Sequence, residues 1–430
     1  MIIEFRVKNH RCFRDEQVLS LVASPDKSLP DNVFEEIKFR LLRSAAIYGP
    51  NASGKSSLIE ALGFMQDFVV NSARSQPGDP IDVNPHRLDP ASAQEPSLFE
   101  LTFLFKGNRY QYGFTATRQR VLEEWLYWYP MNKAREWFRR EWDAKTEKPK
   151  YAFPSQNLKG RKQEIADEAG ENRLFLSWAA SRNHEQLLPI HEWFRTVLRE
   201  LPSRDQLRPV TAHMAVSDEE MRKAVVQMLR NADFGISDIQ ITEKKSDESR
   251  LGELPQVKDL GEKERSEVID AVKAEWDSNR RFVVNLTHRG LRDITSSFSL
   301  KQESDGTQRF FSLIGPWIES FARGYTVFVD EIDASLHPML TRKLIELFHD
   351  PQWNRNNGQL ILTTHDVSLM DSSLFRRDQI WLTEKDADGA AHLYSLSDYK
   401  KKPRKVEDWR KGYLAGRYGA VPILGDFDKP

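Results

Sequence analysis

The chain has 430 residues, 39% hydrophobic and 30% charged, and its 63 Lys+Arg against 64 Asp+Glu leave a formal charge of −1. That length suits two or three domains with a real core, while near-neutrality removes any general attraction to nucleic acid, so such binding would have to come from local patches. A mean hydropathy of −0.61, no apolar run approaching the roughly 20 residues of a bilayer crossing, and charged residues where a secretory signal would be apolar predict a cytoplasmic protein with no membrane partner; the lone cysteine, Cys12, excludes an internal disulfide and any multi-cysteine zinc site.

In chain order, Ile2–Val7 and Leu41–Tyr48 read as strands, the second ending in a glycine-rich turn. Leu58, Ala61, Leu62, Met65, Phe68 and Val69 then recur at the spacing of one helix face. After a Pro/Asp/Ser-rich loop ending at Pro96, Phe99, Leu101, Phe103 and Phe105 alternate up to Gly107-Asn108, and Tyr110, Tyr112 and Phe114 resume the alternation, which predicts a hairpin. Trp125–Tyr129 extends that antiparallel sheet. From Asn172 to Asp238 the pattern is mainly helical, with Leu187, Ile190, Trp193, Phe194 and Leu198 on one face; the charged stretch Lys244–Arg265 reads as an exposed excursion. Tyr325–Val329 and Gln359–Thr364 are short apolar runs of the kind buried on both faces of a parallel sheet, with Leu340, Leu344 and Leu347 marking a crossover helix between them. The expected organisation is therefore an N-terminal lobe over 1–155, an inserted, mainly helical lid over 156–280 and a C-terminal lobe over 281–430.

Four elements point to nucleotide chemistry. Gly49-Pro50-Asn51-Ala52-Ser53-Gly54-Lys55-Ser56, followed by Ser57, satisfies G-x-x-x-x-G-K-[ST] between a predicted strand and a predicted helix. In that setting backbone N–H groups and the helix N-terminus cradle a β-phosphate, Lys55 can bridge the β- and γ-phosphates, and the Ser56 hydroxyl can ligate Mg²⁺. Second, Thr326–Val329 runs into Asp330-Glu331; Asp330 suits the Mg²⁺ water shell and Glu331 the general base that polarises an attacking water. Third, Ser304-Asp-Gly306-Thr-Gln opens an apolar helix, either as an ordinary helix cap or as a site for a γ-phosphate. Fourth, His365 ends the next apolar strand, where an imidazole can sense the γ-phosphate. The loop reads phosphates and not the base, and no N-K-x-D motif is present to favour GTP.

The order of phosphate loop, S-x-G signature, Asp-Glu pair and histidine resembles the ATP-binding-cassette ATPases, especially the SMC/OLD branch, in which loop and signature lie far apart; here 248 positions separate Ser56 from Ser304. That resemblance implies an α/β P-loop ATPase head of ABC type with an antiparallel β-lobe. It also implies a dimer in which Ser304 and Gly306 of one copy cover the ATP held by Gly49, Asn51, Gly54, Lys55 and Ser56 of the other, with Asp333–Pro338 as the loop crossing the dimer axis. Val7–Arg14, Ser304–Arg309, Arg376–Ile380 and Gly416–Pro422 further resemble the stand-alone AAA-type ATP-binding family that includes the RloA-like and AriA-like ATPases of anti-phage operons. Asp305 departs from the glycine that transporters carry in the signature, and Gln94, Gln111 and Gln186 stay open as the glutamine that ABC heads turn toward Mg²⁺.

By that resemblance the expected activity is slow, Mg²⁺-dependent ATP hydrolysis in a homodimer or larger homo-oligomer. It would be coupled to a separate nuclease-like effector, with a nucleic acid or phage protein as the class of trigger. Only 65 residues follow His365, too few for a fused nuclease as well as the rest of the head. The alternative is a DNA-repair or chromosome-metabolism ATPase of RecF/SMC type that closes on duplex DNA. Two basic stretches bear on it: Arg135–Trp142, read chiefly as a solvated face with apolar residues turned inward, and Lys400–Lys405, an exposed loop.

Overall fold

The computed structural model describes residues 1–154, 156–201, 210–232, 234–244, 281–399 and 408–422. In chain order the elements are β1 (Ile2–Lys8), β2 (Gln17–Ser20), β3 (Val33–Glu36), β4 (Phe39–Leu42), β5 (Ser44–Tyr48), α1 (Lys55–Asn71), β6 (Ser97–Phe105), β7 (Asn108–Ala116), β8 (Val121–Tyr129), β9 (Arg135–Asp143) and β10 (Lys148–Ala152). There follow α2 (Lys162–Glu168), α3 (Phe175–Ser181), α4 (Leu188–Thr196), β11 (Leu198–Leu201), α5 (Val210–Ser217), α6 (Glu219–Asn231), β12 (Ile236–Lys244), β13 (Arg281–Arg289), β14 (Thr295–Ser299) and α7 (Asp305–Arg323). The chain closes with β15 (Thr326–Val329), α8 (Pro338–His349), β16 (Gln359–Thr363), β17 (Ile380–Lys385), β18 (Ala391–Ser395) and α9 (Trp409–Leu414). Two compact units result, one of residues 1–203 with 319–430 and one of residues 204–318.

The first unit holds a six-stranded sheet ordered β11-β15-β16-β5-β17-β18, parallel except for β18, and a seven-stranded antiparallel sheet ordered β10-β9-β8-β7-β6-β1-β2. Every residue of β5, β15 and β16 is buried, as short apolar strands covered on both faces must be. The predicted α1 face is buried at Leu58, Ala61, Leu62, Met65, Phe68 and Val69, in one apolar core with Phe99, Phe103 and Phe114 of the antiparallel sheet and Ile47, Phe328 and Ile361 of the parallel sheet. Gln359 joins the two sheets: its side chain accepts from Ile2 N at 2.6 Å and donates to Ile2 O at 3.0 Å.

The β6–β7 hairpin forms as expected, with Lys106 and Gly107 both at positive φ, which matches the strand twist. Other readings need correcting. The 41–48 segment is two strands, because Arg43 turns its guanidinium onto the carbonyls of Asp31 and Asn354 between them. Leu198 does not continue the helical face: α4 ends at Thr196, and Leu198–Leu201 fills the edge of the parallel sheet beside β15, where backbone pairing outweighs local periodicity. The second unit contributes α5, α6 and the first part of α7, with a three-stranded antiparallel sheet, β12-β13-β14. The charged 245–265 stretch and Lys400–Lys405 lie outside the described residues.

Arg135–Trp142 is a strand in the antiparallel sheet, and Arg140 points inward rather than to solvent. It faces Glu124 at 3.8 Å, both side chains fully buried. Glu124 also accepts from Tyr112 Oη at 2.9 Å and from the Phe175 and Leu176 N–H groups at 2.6 and 3.0 Å, which holds the start of α3 onto the sheet. Glu124→Ala strands the Arg140 charge and those N–H groups, so we expect a loss of about 3–5 kcal/mol in urea unfolding, with Glu124→Gln costing less.

The Arg376–Ile380 motif is structural. Arg376 is buried and bidentate to Asp378 at 2.9 and 2.7 Å, and Gln379 hydrogen-bonds Asn32, Ser44 and His349. Burial pushes the His349 imidazole down to about 3, with Arg43 adding to the shift. In the unfolded chain a histidine protonates near 6.5. The stability this neutral imidazole contributes is therefore present above that pH and lost as pH falls toward about 3. His349→Gln should make the decline shallower in urea midpoints compared between pH 7 and pH 4.5.

Candidate functional site

The site forms where β5, β15, β16 and β17 end on the same edge of the parallel sheet, the usual location of ligands in such sheets. Residues 49–54 turn out of β5 into α1, with Ala52 at φ +60° and Gly54 at φ +117° before the first helical residue, Lys55. Gly54 is tightly surrounded: a Cβ there would lie 3.0 Å from Cys12 Sγ and 3.3 Å from the Phe13 ring, so the turn after β1 braces the loop. Cys12 is a packed thiol. Burial pushes it above its ordinary value, against a hydrogen bond with Ser57 that pulls it down.

Lys55 curls over the loop it starts. Its Nζ donates to Gly49 O at 2.8 Å and Pro50 O at 3.0 Å. Burial lowers this ammonium from its ordinary value, opposed by the charges of Asp330, Glu331 and Asp333, which stand close enough to hold it up. Asn51, Ala52 and Ser56 are exposed at the mouth, whereas Ser53 is buried with its hydroxyl 2.6 Å from Thr383 Oγ1 on β17.

On the other side, Thr363 at the end of β16 arranges the carboxylates. Its Oγ1 donates to Asp330 Oδ1 at 2.5 Å and accepts from Glu331 N at 2.8 Å. Glu331 has φ +48° and is exposed, so the turn carries its side chain outward from the strand end; among the described residues nothing hydrogen-bonds its carboxylate. His365 is exposed beside it, its backbone N 3.4 Å from Asp333 Oδ2. His337 is a helix cap, its Nδ1 accepting from Met339 N at 3.3 Å.

The first unit thus brings together the phosphate-loop residues, Asp330, Glu331 and His365, while Ser304 and Gly306 belong to the second. There Ser304 Oγ accepts from Thr307 N at 3.1 Å, a helix cap on α7, and is itself exposed. Of the three open glutamines, Gln111 accepts from Tyr129 Oη, Gln186 bonds the backbone of Asn157 and Lys159, and Gln94 is exposed on a single 3₁₀ turn. Sequence reasoning missed Thr363 and Thr383. The paired threonines before His365 were the one available signal for the first, and nothing marked the second.

The donor set fits a nucleotide with a hard divalent ion. The exposed Ser56 hydroxyl and the second oxygen of Asp330 are oxygen donors of the kind Mg²⁺ takes alongside phosphates.

A family model described as "AAA domain, putative AbiEii toxin, Type IV TA system" matches residues 44–371, a span that contains the phosphate loop, Ser304, Gly306, Asp330, Glu331, Thr363 and His365 and stops short of Thr383. The chain belongs to that family, and its AAA domain has the α/β fold described above. It is similar to an SMC head bound to the C-terminal winged-helix domain of ScpA (13% identity, 92% of this chain and 97% of that one, TM-score 0.43). It is also similar to the SMC head domain from Thermotoga maritima (12%, 92% and 98%, TM-score 0.40). No curated protein matches the chain. No helix among the described residues is long and apolar enough to cross a membrane.

Thr363→Val keeps the shape of the side chain and leaves Asp330 Oδ1 and the Glu331 N–H without their partner. We expect a loss of about 1–3 kcal/mol in thermal unfolding, together with weaker Mg²⁺-dependent nucleotide binding.

Proposed function

We propose that this protein is a slow, Mg²⁺-dependent ATPase whose heads pair around ATP and whose nucleotide state holds or releases a separate effector in anti-phage defence. The observation that carries the reading is the placement of Lys55: an ammonium folded into its own loop, within electrostatic reach of Asp330, Glu331 and Asp333 from a strand two places away in the sheet. Backbone N–H groups of residues 51–56 and the α1 N-terminus receive the phosphates, and Lys55 exchanges the carbonyls of Gly49 and Pro50 for phosphate oxygens. Ser56 and Asp330 would hold Mg²⁺, which would supply positive charge to the reaction. Glu331, unpaired and outward, orients a water and accepts its proton; His365 faces the terminal phosphate. Ser304 and Gly306, at an exposed helix start, cover the ATP of a second copy.

The effector half of the proposal rests on the resemblance to anti-phage ATPases; the family description names a toxin–antitoxin system. The inward turn of Arg140 removes one candidate contact for duplex DNA, while Arg135 of the same stretch is exposed. Lys55→Ala should abolish binding of a fluorescent ATP analogue. Glu331→Gln should bind normally, lower kcat at least 100-fold, and shift the native mass with ATP to a dimer or larger species. Mg²⁺ removal by EDTA should abolish turnover. Turnover by Glu331→Gln at the wild-type rate would sink the assignment of the base. A complex purified from its own operon that carries no second subunit, and a mass that changes only with duplex DNA, would replace the effector with DNA.

A further inference from the structure

Tyr48 closes β5 directly before the phosphate loop, and it is only 1% exposed. Its hydroxyl has no hydrogen-bond partner among the described residues. Native proteins pair nearly all buried polar groups, and an exception calls for an explanation such as strain or a catalytic role. The backbone that carries this side chain is fixed: Tyr48 pairs with Leu382 of β17, and its carbonyl accepts from Thr383 Oγ1 at 3.3 Å. Tyr413 of α9 packs against the ring at 6.3 Å and donates its own hydroxyl proton to Ala420 O at 2.7 Å. Packing alone would be served as well by a phenylalanine.

Two carboxylates beside His365 are unmatched in the same way. Asp366 Oδ1 accepts from Ser368 N at 2.8 Å, and Asp333 Oδ2 lies 3.4 Å from His365 N. Their other oxygens, Asp366 Oδ2 and Asp333 Oδ1, are buried with no partner among the described residues. Burial raises the Tyr48 phenol well above its ordinary value, and the charges of Asp366 and Asp333 add to the shift, so both carboxylates stand within electrostatic reach of a hydroxyl that keeps its proton. The donor sits on a buried strand, whereas the acceptors sit on loops. Asp333 belongs to the turn after β15, where Glu331 and Ser335 have φ of +48° and +64°. Asp366 follows β16 and caps the short 3₁₀ turn Val367–Leu369. A small shift of either loop is what would bring a carboxylate onto the phenol.

We propose that Tyr48 is a positioning residue for ATP hydrolysis: in the loop arrangement that ATP selects, its hydroxyl donates to Asp366 and fixes the loop that aims His365 at the terminal phosphate. This role rests on the ATPase reading above. It matches a buried donor with a buried acceptor, and the bond it forms is charge-assisted, in a place closed to water. It also ties His365 to the strand that leads into the phosphate loop, so that the two sides of the site move together. Tyr48 acts through Asp366, not on the nucleotide.

The test compares the full-length wild type with Tyr48→Phe, which keeps the ring and removes only the hydroxyl. Measured without nucleotide, the urea midpoint of Tyr48→Phe should equal or exceed that of the wild type, since no bond is lost. In steady-state hydrolysis with Mg²⁺, kcat should fall at least about tenfold while KM for ATP stays within about twofold, the split expected for an interaction made after binding. Asp366→Ala should lower kcat by a similar factor, and adding Tyr48→Phe to it should cost nothing further, as for two members of one bond. If Asp366→Ala is unfolded, Tyr48→Phe decides alone. A lower urea midpoint for Tyr48→Phe would show that the hydroxyl is already paired and would overturn the proposal. So would an unchanged kcat, a rise in KM alone, or losses that add in the double variant. A wild type that hydrolyses no ATP would sink the ATPase reading and this role with it, a result distinct from an active wild type matched by its variant.

Discussion

The phosphate loop depends on β5 being clamped between two strands that arrive more than 300 residues later. β16 and β17 pair with β5 on either side, and each carries a threonine that reaches past the backbone. Thr383 meets Ser53 within the loop, and Thr363 meets the Asp330-Glu331 turn from β15. The loop and the carboxylates are thus referred to a common frame of buried strands, and a shift of any one strand would change the distance between Lys55 and its counter-charges. In a close-packed interior such shifts are resisted. Preorganisation of this kind is what phosphoryl chemistry asks of a protein, since positioning and charge stabilisation are nearly all it contributes.

The surroundings serve the same frame. Gln359 fastens the antiparallel sheet to the start of β16, and Gln379 links β5 to α8 through Ser44 and His349. The turn after β1 presses Cys12 and Phe13 against Gly54. Glu124 and Arg140 do for α3 what Gln359 does for the sheets, at a site where charge has been taken out of water and every oxygen of the carboxylate is used.

How much of this could be read from the sequence follows from how local each feature is. The phosphate loop was legible because its chemistry lies in consecutive backbone groups and one lysine, and α1 because its buried face repeats every three to four residues. The Asp330-Glu331 pair was legible from the apolar strand before it. Thr363 and Thr383 were not, because their roles exist only once three strands lie side by side. β11 was hidden for a related reason: four residues beginning at Leu198 suit a helix face as well as a sheet edge, and only the neighbouring β15 decides. Arg140 looked like part of a basic surface run, since alternation shows that alternate residues share a face without showing which face is inside. Tyr48, read only as the end of an apolar strand, gave no sign that its hydroxyl would be buried unpaired.

The position of β5 has a consequence for synthesis. A ribosome releases the glycine-rich loop more than 300 residues before the strands that must flank it. Contacts of such long sequence separation form late in folding, so until β17 emerges the nascent protein carries a phosphate-loop sequence without a fully flanked phosphate loop. Fragments that stop before β17 should therefore lack the strand pairing that holds the loop, however well their antiparallel sheet folds.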